Sequence, residues 1–357
     1  MLKLATLELG FRAGMFRMAQ LALRRRQAVI LTFHRFAGEG HGHPRGLPIH
    51  RFEQYLDYLG ERYHVVSLAE LISDLMRGVV RPYRVALTVD DGYREVSTLA
   101  APLLRRYGMP ATFFVVSDLA QGRLWLWTDQ FRFVFEHAPE GLFELSHRGT
   151  VRRIEIGNAG DRLRHAEAWR EYAKHLPIAE RDELLTALAR ACRVEIPVEP
   201  PDEYRAMTWA ELRELAKDGF DIGAHTKTHP ILSSLPAERL PAEIGECKQE
   251  LERRLGVAVR HFAYPNGKRG DYTRAAVEAV AEAGYQAAVT AMSGGNTPAT
   301  SLYELYRVDG GAEDLAHFAQ AVSGFELAKL GTRARLGAIA RPARWARGRG
   351  RPQEQAG

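Results

Sequence analysis

The stretch "RVALTVDDGYREV", residues 84–96, begins as a strand and ends in chemistry. From Val85 the run Val, Ala, Leu, Thr, Val has the composition of a buried strand. It stops on two adjacent carboxylates, Asp90 and Asp91, followed by a glycine. Like charges that close raise each other's pKa, so the pair is costly unless a cation or a proton-transfer task uses it.

Similar runs recur along the chain: VILTFH (29–34), HVVSL (64–68), ATFFVV (111–116), FDIGAHT (220–226), RHFAYP (260–265) and QAAVTA (286–291). Helical patterns separate several of them, at about 93–107, 236–255 and 272–284. Strand alternating with helix predicts an α/β fold on a parallel sheet, open or closed into a barrel. Residues 117–207 break the alternation; they read as a mostly helical insertion that opens with "LWLWTDQFRFVFEH". Within it Trp125 and Trp127 suit either sugar stacking or a core, the commoner use of aromatic residues at this spacing.

Four runs end in chemistry-capable side chains. His34 ends VILTFH, Asp90 and Asp91 end RVALTV, His225 and His229 follow FDIGA, and Tyr264-Pro265-Asn266-Gly267 follows RHFA. Barrel enzymes build their sites at the carboxyl ends of the strands. In "HTKTHP" (225–230) the two histidines are four apart, and Pro230 disfavours helix at His229, so a turning loop is expected. With one carboxylate they make a two-His, one-carboxylate set that leaves positions open for water and substrate. One aspartate then binds the cation, and the other is free to take a proton from the attacking water. Non-haem iron oxygenases use the same ligand types. They usually keep a His and the carboxylate close in sequence, and they need no second aspartate beside it.

The whole-chain numbers fit this reading. Of 357 residues, 46% are hydrophobic and 26% charged, as in an ordinary globular protein. Two distant cysteines, Cys192 and Cys247, give neither a disulfide framework nor a thiolate zinc site, and they suit a reducing compartment. Residues 1–26 carry +5 and residues 331–357 carry +6 against a total of +5, which leaves −6 on residues 27–330. The basicity is terminal, so no nucleic-acid groove is expected in the body of the chain. Leu4, Leu7, Phe11, Met15, Met18 and Ala22 recur at helical spacing within residues 1–27, interrupted by Glu8, Arg12 and Arg17. That pattern is neither a secretory signal nor a spanning helix. A basic amphipathic helix of this kind suits either an anionic membrane surface or packing on its own domain. Residues 326–357 read as an Arg-rich tail.

With these residues in view, the chain resembles the polysaccharide deacetylases of carbohydrate esterase family four, which share homology with the nodulation-type chitooligosaccharide deacetylases. The resemblance covers roughly residues 28–310. "TVDDG" is similar to the family's first motif, Thr-Phe-Asp-Asp-Gly, and "HTKTH" to its second, His-Ser/Thr-x-x-His. It implies a distorted (β/α) barrel over residues 28–325. It implies a base at Asp90 and a divalent ion, zinc or else cobalt or nickel, on Asp91, His225 and His229. The third motif departs. "AYPNG" puts Ala263 where the family has an arginine that orients the base, and Asn266 where it has a tyrosine whose N–H helps hold the oxyanion. Asn266 keeps a backbone donor, and Arg307 in "LYRVD" is the candidate replacement guanidinium.

The family's Leu-x-His motif has a formal match at His317, in a helical pattern that reads as structural. "ILTFHRF" fits better, because the exopolysaccharide deacetylases acting on poly-N-acetylglucosamine look circularly permuted and open on this histidine. His34 is therefore the expected general acid. Tyr264, Pro265 and Trp127 are expected to contact substrate. The implied reaction is removal of acetyl from an N-acetylated glycan, in the cytoplasm or peripherally on the inner membrane face. The alternative is an idle carbohydrate-binding relative.

Overall fold

The computed structural model of the chain describes residues 2–39, 41–43 and 46–325; the Arg-rich stretch 326–357 lies outside them. Seven parallel strands form its centre: β1 (Val29–Phe33), β2 (Arg84–Val89), β3 (Ala111–Val115), β4 (Asp221–Ala224), β5 (His261–Ala263), β6 (Ala287–Ser293) and β7 (Leu305–Asp309). Each pairs with the next, and β7 pairs with β1 (Leu31 opposite Val308) while β1 pairs with β2 (Val29 opposite Val85), so the ring closes. The expected barrel is therefore present. HVVSL contributes only His64–Val65, which adds to the start of β2, and Leu305–Asp309 provides the seventh stave.

The strands read as unbroken apolar runs because both faces are covered, one by the barrel interior and the other by helices. Every residue of β1 and β3 is buried. Helix boundaries follow local chemistry. Thr208 accepts the Glu211 N–H while Glu211 reaches back to the Thr208 N–H, starting the helix Trp209–Lys217 that leads into β4. The helix Ala101–Tyr107 stops at Gly108, whose φ of 61° closes the last turn before β3.

The span 117–207 carries helices Trp127–His137, Ala159–Lys174 and Ile178–Ala191 and also an antiparallel hairpin, Gly141–His147 with Thr150–Ile156. Phe131, Val134, Leu145, Ile154, Trp169 and Leu188 pack there in a cluster separate from that of the barrel. A buried ion pair, Lys174 Nζ to Asp271 Oδ1 at 2.8 Å, ties the end of helix Ala159–Lys174 to the loop that follows β5.

The N-terminal segment is two helices, Leu2–Arg12 and Met15–Leu23, separated at Gly14. The second packs on the barrel. Phe16 is buried and meets Phe325 edge-on, the Gln20 amide donates to the Arg62 carbonyl, and the buried Arg24 donates to the Val322 carbonyl. Leu9, Met15, Met18 and Leu21 remain exposed, alongside Arg12, Arg17, Arg25 and Arg26. No described helix is long and apolar enough to cross a membrane.

Candidate active site

Closing the ring brings the carboxyl ends of β1, β2, β4 and β5 to one mouth. There His34, Asp90, Asp91, His225, His229, Tyr264, Asn266 and Arg307 line a single cavity of about 250 Å³. Eight of the ten residues singled out in the sequence thus meet in space. The other two are Pro265, which is buried, and Trp127, which is 5% exposed; neither lines the cavity. Trp127 instead donates its indole N–H to the His229 carbonyl at 3.3 Å, and Trp125 packs against Phe133 and Tyr204. Stacking of a sugar on either ring is therefore replaced by a packing role. His317 sits at the start of helix Leu315–Ser323, 3.0 Å from the Asp314 carboxylate and outside the cavity.

Although adjacent, the two aspartates have different surroundings. Asp90 receives both terminal nitrogens of Arg307, each at 2.7 Å, a fork-to-fork pair buried on both sides. Arg307 is itself fixed by the Thr290 carbonyl at 2.7 Å and the Thr88 hydroxyl at 3.2 Å. Burial alone would raise the Asp90 carboxyl, but the charge and hydrogen bonds of Arg307 outweigh it and hold the pKa below the usual carboxylate range. His34 Nε2 lies 3.7 Å from Asp90 Oδ2, on a side chain half open to solvent.

Asp91 turns away with φ 74° and presents Oδ1 to both imidazoles, 3.4 Å from His225 Nε2 and 3.5 Å from His229 Nε2. Among the described residues, these three form the cluster able to hold a metal ion, their ligand atoms all within 4.8 Å of one another. The chemistry of the donors fits a cation. His225 Nδ1 is 2.7 Å from the Ala263 carbonyl, which can only accept, so Nδ1 carries a proton and Nε2 faces Asp91, where it donates without an ion and would offer its lone pair to a bound one. Burial, with the charge of His225 beside it, holds the His229 imidazole down to about 4, so it is neutral at ordinary pH. Burial pushes Asp91 up, but the hydrogen bond from His225 outweighs it and holds the carboxyl well below its usual range. His225 is raised: burial opposes its charge, and the hydrogen bond to Asp91 with the charge of Asp90 outweighs that.

Backbone strain concentrates here. Asp91, Thr226, His229 and Asn266 are four of the seven non-glycine residues at positive φ among the described residues, and a β-branched Thr at φ 65° is a conformation held only by its surroundings. Glu243 supplies the hold on HTKTHP. Its carboxylate accepts the Lys227 N–H at 3.1 Å, the Thr228 N–H at 2.9 Å and the Thr228 hydroxyl at 2.7 Å. At "PNG", Gly267 has φ 58° and a side-chain carbon there would meet the Ala291 nitrogen at 2.7 Å, so only glycine fits. The preceding Asn266 N–H has no acceptor among the described residues.

Sequence reasoning missed the far wall of the cavity. Thr128, Asp129, Arg132 and Arg170 come from the 117–207 span, and Arg35 and Tyr93 complete the rim. Asp129 accepts the Tyr93 hydroxyl and lies 3.9 Å from Arg35. Nothing in the local pattern distinguishes these residues from the polar face of an ordinary helix.

Residues 78–288 match the family described as polysaccharide deacetylase. Among curated proteins, the uncharacterized YlxY of Bacillus subtilis is 31% identical over 70 residues, 20% of this chain and 21% of that protein. The chain spans 21% and 36% of the lengths of two curated relatives it matches. Among solved structures, the Streptococcus pyogenes deacetylase PplD in complex with acetate is 18% identical with a TM-score of 0.54. IcaB from Ammonifex degensii is 19% identical with a TM-score of 0.53. Each structural match covers 83% of this chain and 98% of the other, a likeness of fold. A family match over more than half the chain, laid on a closed barrel whose two motifs converge at one mouth, makes this protein a member of the polysaccharide deacetylase family.

Proposed function

We propose that this protein hydrolyses the acetamido group of an N-acetylated amino sugar in an oligo- or polysaccharide, with zinc as the favoured ion on Asp91, His225 and His229. The observation that carries the reading is the division between neighbouring aspartates, Asp90 locked to Arg307 and Asp91 facing two imidazoles. A bound divalent ion would polarise the carbonyl and lower the pKa of water toward ~7. Asp90, kept ionised and oriented by Arg307, takes the proton of the attacking water as the new C–O bond forms. The Asn266 N–H donates to the oxyanion, a contribution of roughly 3 kcal/mol for donors of this kind. His34 delivers a proton to the departing nitrogen as the C–N bond breaks, leaving acetate and a free amino sugar.

The test is acetate release from N-acetylglucosamine oligomers by chelated protein reloaded with Zn²⁺ or Co²⁺, with metal content measured alongside. Asp91→Ala is expected to lose both ion and turnover. Asp90→Asn and His34→Ala should keep the ion while activity falls by about 10²-fold or more. Saccharide binding without acetate release from the wild type would favour an idle binding relative instead.

A second part of the proposal concerns location. The exposed Leu9, Met15, Met18 and Leu21 beside four exposed arginines support peripheral contact with an anionic membrane, on its cytoplasmic face. Co-sedimentation with anionic vesicles should exceed that with neutral ones and drop on Leu9→Glu/Met18→Glu substitution; equal recovery from both would remove the membrane from the account.

A further inference from the structure

The wall of the cavity supplied by the 117–207 span is basic in a way the hydrolytic machinery does not use. Arg132, on helix Trp127–His137, and Arg170, on helix Ala159–Lys174, both line the cavity. Both also address one carboxylate oxygen: Glu167 Oε1 lies 3.3 Å from Arg132 Nη2 and 2.8 Å from Arg170 Nη1. Among the described residues, the half-exposed Glu167 is the carboxylate with which both guanidiniums form an ion pair. The other carboxylate on that wall, Asp129, feels the charge of Arg132 but accepts the Tyr93 hydroxyl and stands 3.9 Å from Arg35. The Nε atoms of Arg132 and Arg170 are each buried without an acceptor among the described residues. Leaving a charged donor buried and unpaired is costly, and its retention at a cavity wall calls for an acceptor that arrives with a ligand. The placement is rigid. Lys174, one turn beyond Arg170 on the same helix face, is clamped by its buried pair with Asp271.

We propose that Arg132 and Arg170 form a subsite for an oxyanion on the substrate, so that the favoured ligand is an acidic N-acetylated saccharide and not a neutral one. This rests on the deacetylase reading and names its substrate class. The planar forks of arginine suit carboxylate and phosphate alike. The negative group is therefore either a uronate neighbouring the acetylated sugar or a phosphate on the sugar's own anomeric oxygen.

The test is calorimetric binding to the full-length, zinc-loaded protein of three probes: N,N′-diacetylchitobiose, a glucuronate–N-acetylglucosamine disaccharide and N-acetylglucosamine 1-phosphate. At least one acidic probe should bind about tenfold more tightly than the neutral one, and which of the two does so identifies the source of the charge. Arg132→Gln/Arg170→Gln should bring acidic binding down to the level of the neutral probe. Glu167→Gln, which removes the negative charge both guanidiniums pair with, should strengthen acidic binding several-fold, so the idea does not depend on the double variant folding. A neutral probe that binds as tightly as both acidic ones, an advantage that survives the double variant, or a Glu167→Gln protein no better than wild type would each overturn the subsite. Acetate release bears separately on the hydrolase reading: a protein that binds acidic probes through these arginines yet releases no acetate keeps the subsite and loses the reaction.

Discussion

Arg307 and Asp90 sit 217 positions apart and meet through two hydrogen bonds of 2.7 Å with almost no water around them. Removing one partner of such a pair strands a buried charge, a loss of about 3–5 kcal/mol. Arg307→Met is therefore expected to lower the denaturant midpoint markedly and to depress turnover, with metal content unchanged because no ligand is touched. Arg307→Lys should recover part of the stability and little of the rate, since a point charge cannot hold both carboxylate oxygens at once. Unfolding curves and single-turnover acetate release separate the two effects. At this scale much of the site was legible. An Asp-Asp pair at a strand end is expensive enough to demand a reason, and two histidines before a proline supply one. Arg307 could be nominated only because the usual arginine position held Ala263. Arg132 and Arg170 could not be nominated, because an arginine on a helix face looks the same whether it faces solvent or a cavity.

Among the elements, the HTKTHP loop shows how a strained segment is kept in shape. Glu243 closes three hydrogen bonds onto it from a neighbouring helical turn. Glu243→Ala leaves the Thr228 N–H and hydroxyl without that acceptor and the Lys227 N–H with only the residue 243 carbonyl, so metal affinity should fall by about 10–100-fold while the barrel stays folded; competition with a chelator measures the first and circular dichroism the second. The element that sequence reading did not anticipate, the hairpin Gly141–His147/Thr150–Ile156, turns at Arg148-Gly149 with φ 48° and 73°. A tight hairpin turn asks for left-handed residues at both positions, and arginine seldom adopts that conformation, so the usual Asn-Gly or Asp-Gly signature was missing. Strand and helix of the barrel were easier to see, because burial on two faces writes an apolar run that propensity alone can find.

For the whole molecule, the contact between Lys174 and Asp271 fixes the basic wall relative to the barrel loop. Lys174→Met should cost about 3 kcal/mol or more by leaving Asp271 buried and charged, and adding Asp271→Asn should restore part of it by removing that charge. Chemical denaturation of the single and double variants gives the answer, and complete independence of the two substitutions would mean that the pair does not bind the parts together.

The parallel ring also has a front and a back. Its mouth opens at the carboxyl ends of the strands, whereas the N-terminal helices attach behind it: the Arg24 carbonyl accepts the N–H of Tyr83, just ahead of β2, and Ala28, just ahead of β1, bridges Asn296. A five-residue stave is roughly 17 Å long. If the proposed bilayer contact is made through those helices, it would be attached at the strand-start end, away from the mouth. On that proposal, an acetylated sugar would arrive from the aqueous side, on a chain long enough or free enough to reach an entrance that looks away from the lipid.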